Sequence, residues 1–380
     1  MSRQRNMNLT LGLTAIWGCA SSIWNTALLS NWLFLLTDSN TKVGIVTAAN
    51  GMAVLLSALP VGAIADKYSK SLTIRVGACL TILAVASTIF AVTDTIQLNY
   101  TQQYNILLAS MCLWGIVNGI VNGPVQALFA DSCPLGDRSE WYSYLQICYL
   151  VPSAVGPAIS VVMFSYMGAN WEFDDMRMVF VTGLLIQSLS IPLLLGLRDL
   201  PKATAQPEDS DPSQSASKVS DKGLDAPLLT NLEGPDSNNQ DIAVEGGLQL
   251  SNKTWLCLKQ SHIPYILFFG DLVTALGSGM TVAFFPLFFK NDIGLDPVQV
   301  NVIYIVVPIV IALLGALLQF IAKRVLGRIW VSVLSRWIGL SCLLAMVQLL
   351  EVYDETRWYI YIYIYIYSLF LNFLTSLVLV

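Results

Sequence analysis

The sequence predicts an all-α polytopic membrane protein, and three observations carry that prediction. Hydrophobic residues make up 55% of the 380 and charged residues only 12%, about half the charged share of a typical soluble domain. The apolar residues gather in runs of about the length that spans the hydrocarbon as a helix, roughly twenty residues. Charges fall almost wholly between those runs, with a mean hydropathy of +0.63 over the whole chain. Each run should be helical, because lipid offers no partner for an unpaired backbone N–H or C=O.

Arg3 and Arg5 precede the first run, 11–36, which is too long for a signal peptide and reads as the first span. Trp17, Ser21, Trp24 and Asn25 form a mixed polar and aromatic face on it. A span tryptophan either anchors at the interface or lines a cavity, and both readings stay open. The second run, 42–63, has no interior charge, and the third, 72–93, has only Arg75 near its start. Between them lies a short charged turn, Gly62-Ala-Ile-Ala-Asp66-Lys67-Tyr-Ser69-Lys70-Ser71.

The fourth run, 104–130, is the most informative. Gly115, Gly119 and Gly123 recur every four residues, a ridge of small residues that lets another helix approach closely. Offset by one residue, Asn118, Asn122 and Gln126 form a parallel amide stripe. Amides facing lipid are costly, so the stripe should face protein or a wet cavity. Substrate contact and interhelical hydrogen bonding, the latter worth about 0.6 kcal/mol per contact, are equally open. In the fifth run, 141–168, Tyr142 and Gln146 add to the same expected cavity, and Pro152, Gly156 and Pro157 interrupt the helix. The sixth run, 177–196, completes an N-terminal six-helix bundle, residues 1–199.

Residues 200–260 are rich in Ser, Asp, Asn and Pro and poor in aromatics, and read as a disordered loop. They include Asp225-Ala-Pro-Leu228-Leu229, which has the form of an acidic dileucine sorting signal. Residues 261–380 hold further runs near 262–289, 298–322, 329–350 and 358–380, a partial bundle of about four helices. Asp271 stands out there, about nine residues into its span, with Thr274, Ser278 and Thr281 continuing its face. An acid near the centre of a span costs roughly 2.5–3.5 kcal/mol on insertion scales. It should face the bundle interior, with burial raising its pKa, and serve as a proton-coupling site. The bland reading keeps it hydrated or paired with Arg336. From Tyr359 to Tyr367 the chain alternates Tyr and Ile, a strand period rather than a helical one. An (AT)n repeat in DNA encodes that alternation, so 358–380 is expected to be non-coding sequence read as protein or the result of an exon skipped near 358, with a genuine Tyr/Ile-rich tenth helix as the alternative.

Orientation follows from Lys and Arg placement. With the N-terminus in the cytosol, only Lys42, Arg177, Lys290 and Arg357 of the 20 basic residues fall on the far side. The charged turn and the central loop are then cytosolic, and the acceptor pattern Asn99-Tyr-Thr101 faces the lumen or exterior. Plasma membrane and endomembrane remain equal expectations.

Gly62, Asp66, Lys67 and Lys70 match the signature turn between the second and third helices of the major facilitator superfamily, which the chain resembles. Ser69 stands where that signature has a second glycine, and Ser71 where it has a last basic residue. Lys323-Arg324-Val-Leu-Gly327-Arg328 repeats the turn in degenerate form after the eighth run. Ala130-Asp131, Arg138 and Gly156-Pro157 further resemble the drug:proton antiporters of that superfamily. The resemblance implies a facilitator fold built from two six-helix repeats, here with an incomplete C-terminal half. It implies a gating role for Gly62, Asp66, Lys67, Lys70, Asp131 and Arg138, and a helix-packing role for Gly156 and Pro157. The arginine that the family often carries in its fourth helix would fall near Met111 and is missing.

The function expected is secondary transport of a small molecule by alternating access, with proton-coupled export as the finer reading. Substrate-cavity candidates are Asn25, Asn118, Asn122, Gln126, Gln146, Thr274 and Ser278; Gly115, Gly119 and Gly123 join Gly156 and Pro157 as packing residues. The alternatives are a non-transporting receptor or scaffold on the same fold, or a truncated inactive product. An enzyme is not expected, since Asp271 has no cluster of His, Asp or Glu around it, and the phosphate-binding loop of ATP-driven pumps is absent. No cofactor or metal is expected: the single histidine, His262, has no ligating company, and Cys19, Cys79, Cys112, Cys133, Cys148, Cys257 and Cys342 are scattered. No basic tract calls for nucleic acid. The expected partners are the bilayer, a small solute and protons, and the expected state is a monomer.

Overall fold

The computed structural model describes residues 2–93, 99–134, 138–200 and 284–321, together with Leu334, Trp337, Ile338 and Ser341. These belong to one compact unit, Met1–Leu200 with Ala275–Val380; a second unit, Pro201–Thr274, lies outside the described residues. Asp271, Thr274, Ser278, His262, the 323–328 turn, the dileucine and the Tyr/Ile run also lie outside them, as does the side chain of Asp66.

Every described element is a helix. The first span is α1 (Ser2–Ile23), a π-helical segment (Trp24–Leu28) and α2 (Leu29–Thr37). Then come α3 (Asn40–Lys67), α4 (Lys70–Val92), α5 (Tyr100–Ser132) and α6 (Arg138–Met167). The sixth run is α7 (Phe173–Ser188) and α8 (Ser190–Gly196), and the C-terminal part contributes α9 (Phe285–Asn291) and α10 (Pro297–Ile321). Six described stretches are long and apolar enough to cross a membrane: Asn40–Ala65, Lys70–Val92, Tyr100–Ser132, Glu140–Met167, Phe173–Gly196 and Pro297–Gly315.

Local chemistry explains where the helices stop. Asp38 takes a left-handed φ of 45° and its N–H reaches the carbonyl of Phe34 at 2.7 Å, closing α2; Asp tolerates that conformation better than most residues. Ser69 caps α4 by accepting the Leu72 N–H at 3.1 Å. Asn99 and Gln102 form a reciprocal capping box at the start of α5. Gly168, at φ 119°, ends α6. Prolines 60, 124, 152, 157 and 308 sit inside helices, as neighbouring helices in a bundle permit.

Two close helix pairs build the N-terminal bundle. α3 lies against α5 where a Cβ on Gly115 would overlap the carbonyl of Asn50, and one on Gly119 would sit 2.8 Å from that of Val54. α1 lies against α6 where a Cβ on Gly156 would overlap the carbonyl of Cys19. Gly123 has no neighbour within 4 Å, so the ridge expected in the fourth span touches α3 at two of its three glycines. The core between α1, α5 and α7 is aromatic. Trp24 lies 5.2 Å from Trp114 and 5.8 Å from Phe180 between ring centroids. Trp24 is buried, so it is neither an interface anchor nor a cavity wall; the π turn swings it inward.

Candidate functional site

Successive spans run up and down, so the loops gather at two ends. One end carries the charged turn between α3 and α4, the start of α1, the end of α5 and the segment after α8. At this motif end the acid and base chemistry is concentrated. The Lys70 ammonium reaches the Asp131 carboxylate at 2.6 Å, joining the α3–α4 turn to the end of α5. The pair is partly exposed, so its net contribution is small, up to about 1 kcal/mol. Lys67 lies 5.7 Å over the ring of Tyr68, and Gly62 is open to its surroundings. Arg138 is exposed at the start of α6, and the structure does not bring it into an ion pair with Asp131.

Asp199 was not a sequence candidate, yet it is the most heavily bonded acid described. Its carboxylate accepts from the Ser69 hydroxyl at 2.5 Å, the Ser71 N–H at 2.9 Å and the Ser71 hydroxyl at 3.0 Å. Partial burial pushes its pKa up, but these hydrogen bonds, with the charge of Lys70, outweigh burial and hold it below the usual carboxylate value. The two serines that depart from the signature turn are therefore the donors that bind the segment after α8. The start of α1 is tied to the same segment: Asn6 donates to the carbonyl of Arg198 at 2.8 Å, and Arg5 donates to the carbonyl of Gly196.

The middle of the bundle holds the uncharged polar groups. Asn25 sits in the π segment and is exposed; Asn122 and Gln126 are exposed, and Asn118 and Gln146 half-buried. None of these five amides makes a side-chain hydrogen bond among the described residues. An interhelical amide bond does exist, but it is made by Asn50, which donates to the carbonyl of Met111 at 2.7 Å. Tyr142 turns toward α5, edge-on to Phe129 at 5.5 Å. No group of three or more His, Cys, Asp or Glu is placed to hold a metal among the described residues.

The far end carries the loops after α2, α4, α6 and α9. Here the N-terminal bundle meets the C-terminal part, with α6 packed along α10 and α2 against α9. Ala27 and Leu150 join Phe285, Phe289, Leu295, Val300, Tyr304 and Val307 in one apolar cluster. Trp171, after α6, donates its indole N–H to the carbonyl of Leu295 at 2.9 Å. The Lys290 ammonium lies 5.3 Å from the centroid of the same ring. This end is closed.

A model of the Major Facilitator Superfamily matches residues 9–380. No curated protein among those compared matches the chain. Among solved structures, a D-xylose–proton symporter is similar over 99% of this chain and 80% of its own, at 12% identity and a TM-score of 0.63. A mutant form of the nucleoside transporter NupG covers 98% of this chain and 81% of its own, at 13% identity and a TM-score of 0.57. A bacterial homolog of the human lysosomal transporter Spinster, inward-facing and unoccupied, covers 99% and 74%, at 13% identity and a TM-score of 0.58. At such identities the likeness is one of fold.

Proposed function

The chain belongs to the Major Facilitator Superfamily, and on that premise we propose that it is a secondary transporter moving a small polar molecule by alternating access, with proton-coupled export as the specific mode. The observation that carries this reading is the set of span amides without side-chain hydrogen bonds among the described residues, Asn25, Asn118, Asn122, Gln126 and Gln146. In lipid such groups must be satisfied by water or by a solute. A central cleft that fills with water from one end and then the other supplies both. The amides then give up water to the hydroxyls or amides of a bound solute and take it back on release.

The two ends serve as gates on this reading. Lys70, Asp131, Ser69, Ser71 and Asp199 hold the motif end of the N-terminal bundle together as a rigid body, with Asp66 as the acid offered to the other half. Gly115, Gly119 and Gly156 keep the helix pairs stiff, so that rocking occurs between the halves and not within them. The motif end is cytosolic by the placement of Lys and Arg. Asp271 is the proposed proton carrier, charged when its side of the cleft is wet and protonated when it is buried.

Reconstitution into liposomes with an imposed pH gradient and a mixed panel of sugars, nucleosides and amphipathic compounds tests the proposal. Gradient-driven movement of at least one solute is expected, and Asp271→Asn should reduce it at least ten-fold while leaving solute exchange. Transport untouched by Asp271→Asn would remove Asp271 from the scheme. A chain that binds a panel compound without moving it would be a receptor on this fold.

A further inference from the structure

Lys290 is an ammonium in an unusual position. Its nitrogen is shielded from solvent and has no hydrogen-bond partner among the described residues, although an ammonium has three donors to satisfy. It follows directly on the seventh apolar run, at the far end, where the two halves touch. Its one favourable contact is the face of Trp171, a residue of the other half. Its own helix carries the mutually packed rings of Phe285, Phe288 and Phe289.

We propose that Lys290 is a gating residue of the far end: its ammonium is hydrated when this end opens and is stripped of water against Trp171 when it closes. This rests on the alternating-access reading above and adds to it a named group whose solvation changes with the gate. Closure then works against the charge on Lys290, and the charged side chain biases the far end towards opening. A shielded ammonium that merely stabilised the closed fold would be expected to have an anionic partner, and none is supplied among the described residues. Among the described residues, the acids at this end are Asp38 after α2, Glu172, Asp174 and Asp175 at the start of α7, and Asp292 and Asp296 around α9 and α10; Asp94, Glu351, Asp354 and Glu355 lie outside the described residues. Asp174 is engaged by Arg177 at 2.9 Å, and no acid lies within ion-pair distance of Lys290 among the described residues. The other bases at this end are Lys42, which lies over Tyr104, and Arg177, with Arg357 outside the described residues.

Titration follows the same physics. Burial lowers the Lys290 pKa from 10.5 to about 8 in the closed arrangement. A group with the lower pKa in the closed state favours closure at high pH and opposes it fully below about 8. By linkage, the open-to-closed ratio should fall roughly fifty-fold between pH 7.5 and pH 10.

The test uses the full chain in liposomes with its seven cysteines replaced, and spin labels at Tyr166→Cys and Val302→Cys, both exposed on opposite halves near this end. A second pair at Tyr68→Cys and Leu334→Cys reports the motif end. The expected result is a far-end distance distribution that shifts from long to short as pH rises from 7.5 to 10. Lys290→Met should be short at all pH values, and Lys290→Arg, which keeps a positive charge that does not titrate in this range, should stay long and insensitive to pH. If the far-end distances ignore pH, or if the Met and Arg variants behave alike, Lys290 is no gate and the inference falls. Should neither pair show more than one distance under any condition, alternating access itself fails; a motif-end pair that alternates while the far end ignores Lys290 condemns the inference alone.

Discussion

At the scale of single residues, the exchange of Ser69 and Ser71 into the signature turn is the most instructive feature. As a sequence these serines looked like losses from the motif; in the fold they supply three donors to Asp199. A hydrogen bond to a charged group is worth about 1.5–3 kcal/mol when protected, less here because Asp199 is exposed. Asp199→Asn should therefore cost about 1–2 kcal/mol of stability at pH 7, read as a lower unfolding temperature in detergent. The sign of the pH dependence is fixed. Asp199 has its pKa lowered on folding, so its contribution is present above its ordinary value of 3.8 and disappears as pH falls through the lower folded value. The gap between parent and variant should shrink in that range. Asp199 could not be found by spacing, because its partners lie 128 and 130 positions away and only folding brings them together. Ser69 left a clue, a capping residue directly ahead of an apolar run. Trp24 was equally illegible: its inward turn depends on the π segment, and no residue type in Trp24–Leu28 announces one.

At the scale of elements, the chain's glycines separate close packing from mere spacing. The repeat Gly115, Gly119, Gly123 is regular in sequence, but only the first two meet α3. A methyl group at Gly115 would press on the backbone carbonyl of Asn50, which cannot move without shifting the helix. Gly115→Ala should destabilise the protein by about 1–3 kcal/mol, as overpacking does, and Gly119→Ala likewise. Gly123→Ala meets nothing within 4 Å and should be neutral or stabilising by up to about 1 kcal/mol through helix propensity. Thermal unfolding of the three variants in one detergent decides the matter; equal losses at all three would mean the ridge acts as a unit. In the N-terminal half, the number and type of the spans were readable because a span must be apolar and must be helical. Which face meets which neighbour was not. A helix is apolar both where it meets lipid and where it meets another helix, so periodicity loses the contrast that it has in soluble proteins. α3 shows the extreme, with Met52, Leu55, Leu56 and Leu59 all exposed along its length.

At the scale of the whole molecule, the arrangement divides the work between two ends. The motif end is polar and bonded within the N-terminal bundle, through Lys70, Asp131, Ser71 and Asp199. The far end is aromatic and bonded between the two parts of the chain, through Trp171 and Leu295. On the proposed alternating-access reading, a bond within a bundle survives rocking, whereas a bond between bundles must break each cycle. The far-end contacts are therefore the ones whose locking should stop transport. Replacing Trp171 and Leu295 together by cysteine and joining them with a reducible thiol-reactive spacer should hold that end shut. Uptake into proteoliposomes, measured with whichever solute the panel identifies, should then fall at least ten-fold and return on reduction of the spacer. Each single cysteine treated with the same reagent should keep most of its activity. The matching lock within the motif end, a spacer between Lys70→Cys and Asp131→Cys, should leave uptake nearly intact, because those positions move together. If the inner lock stopped transport and the far-end lock did not, rocking of two rigid halves would be the wrong description of this molecule.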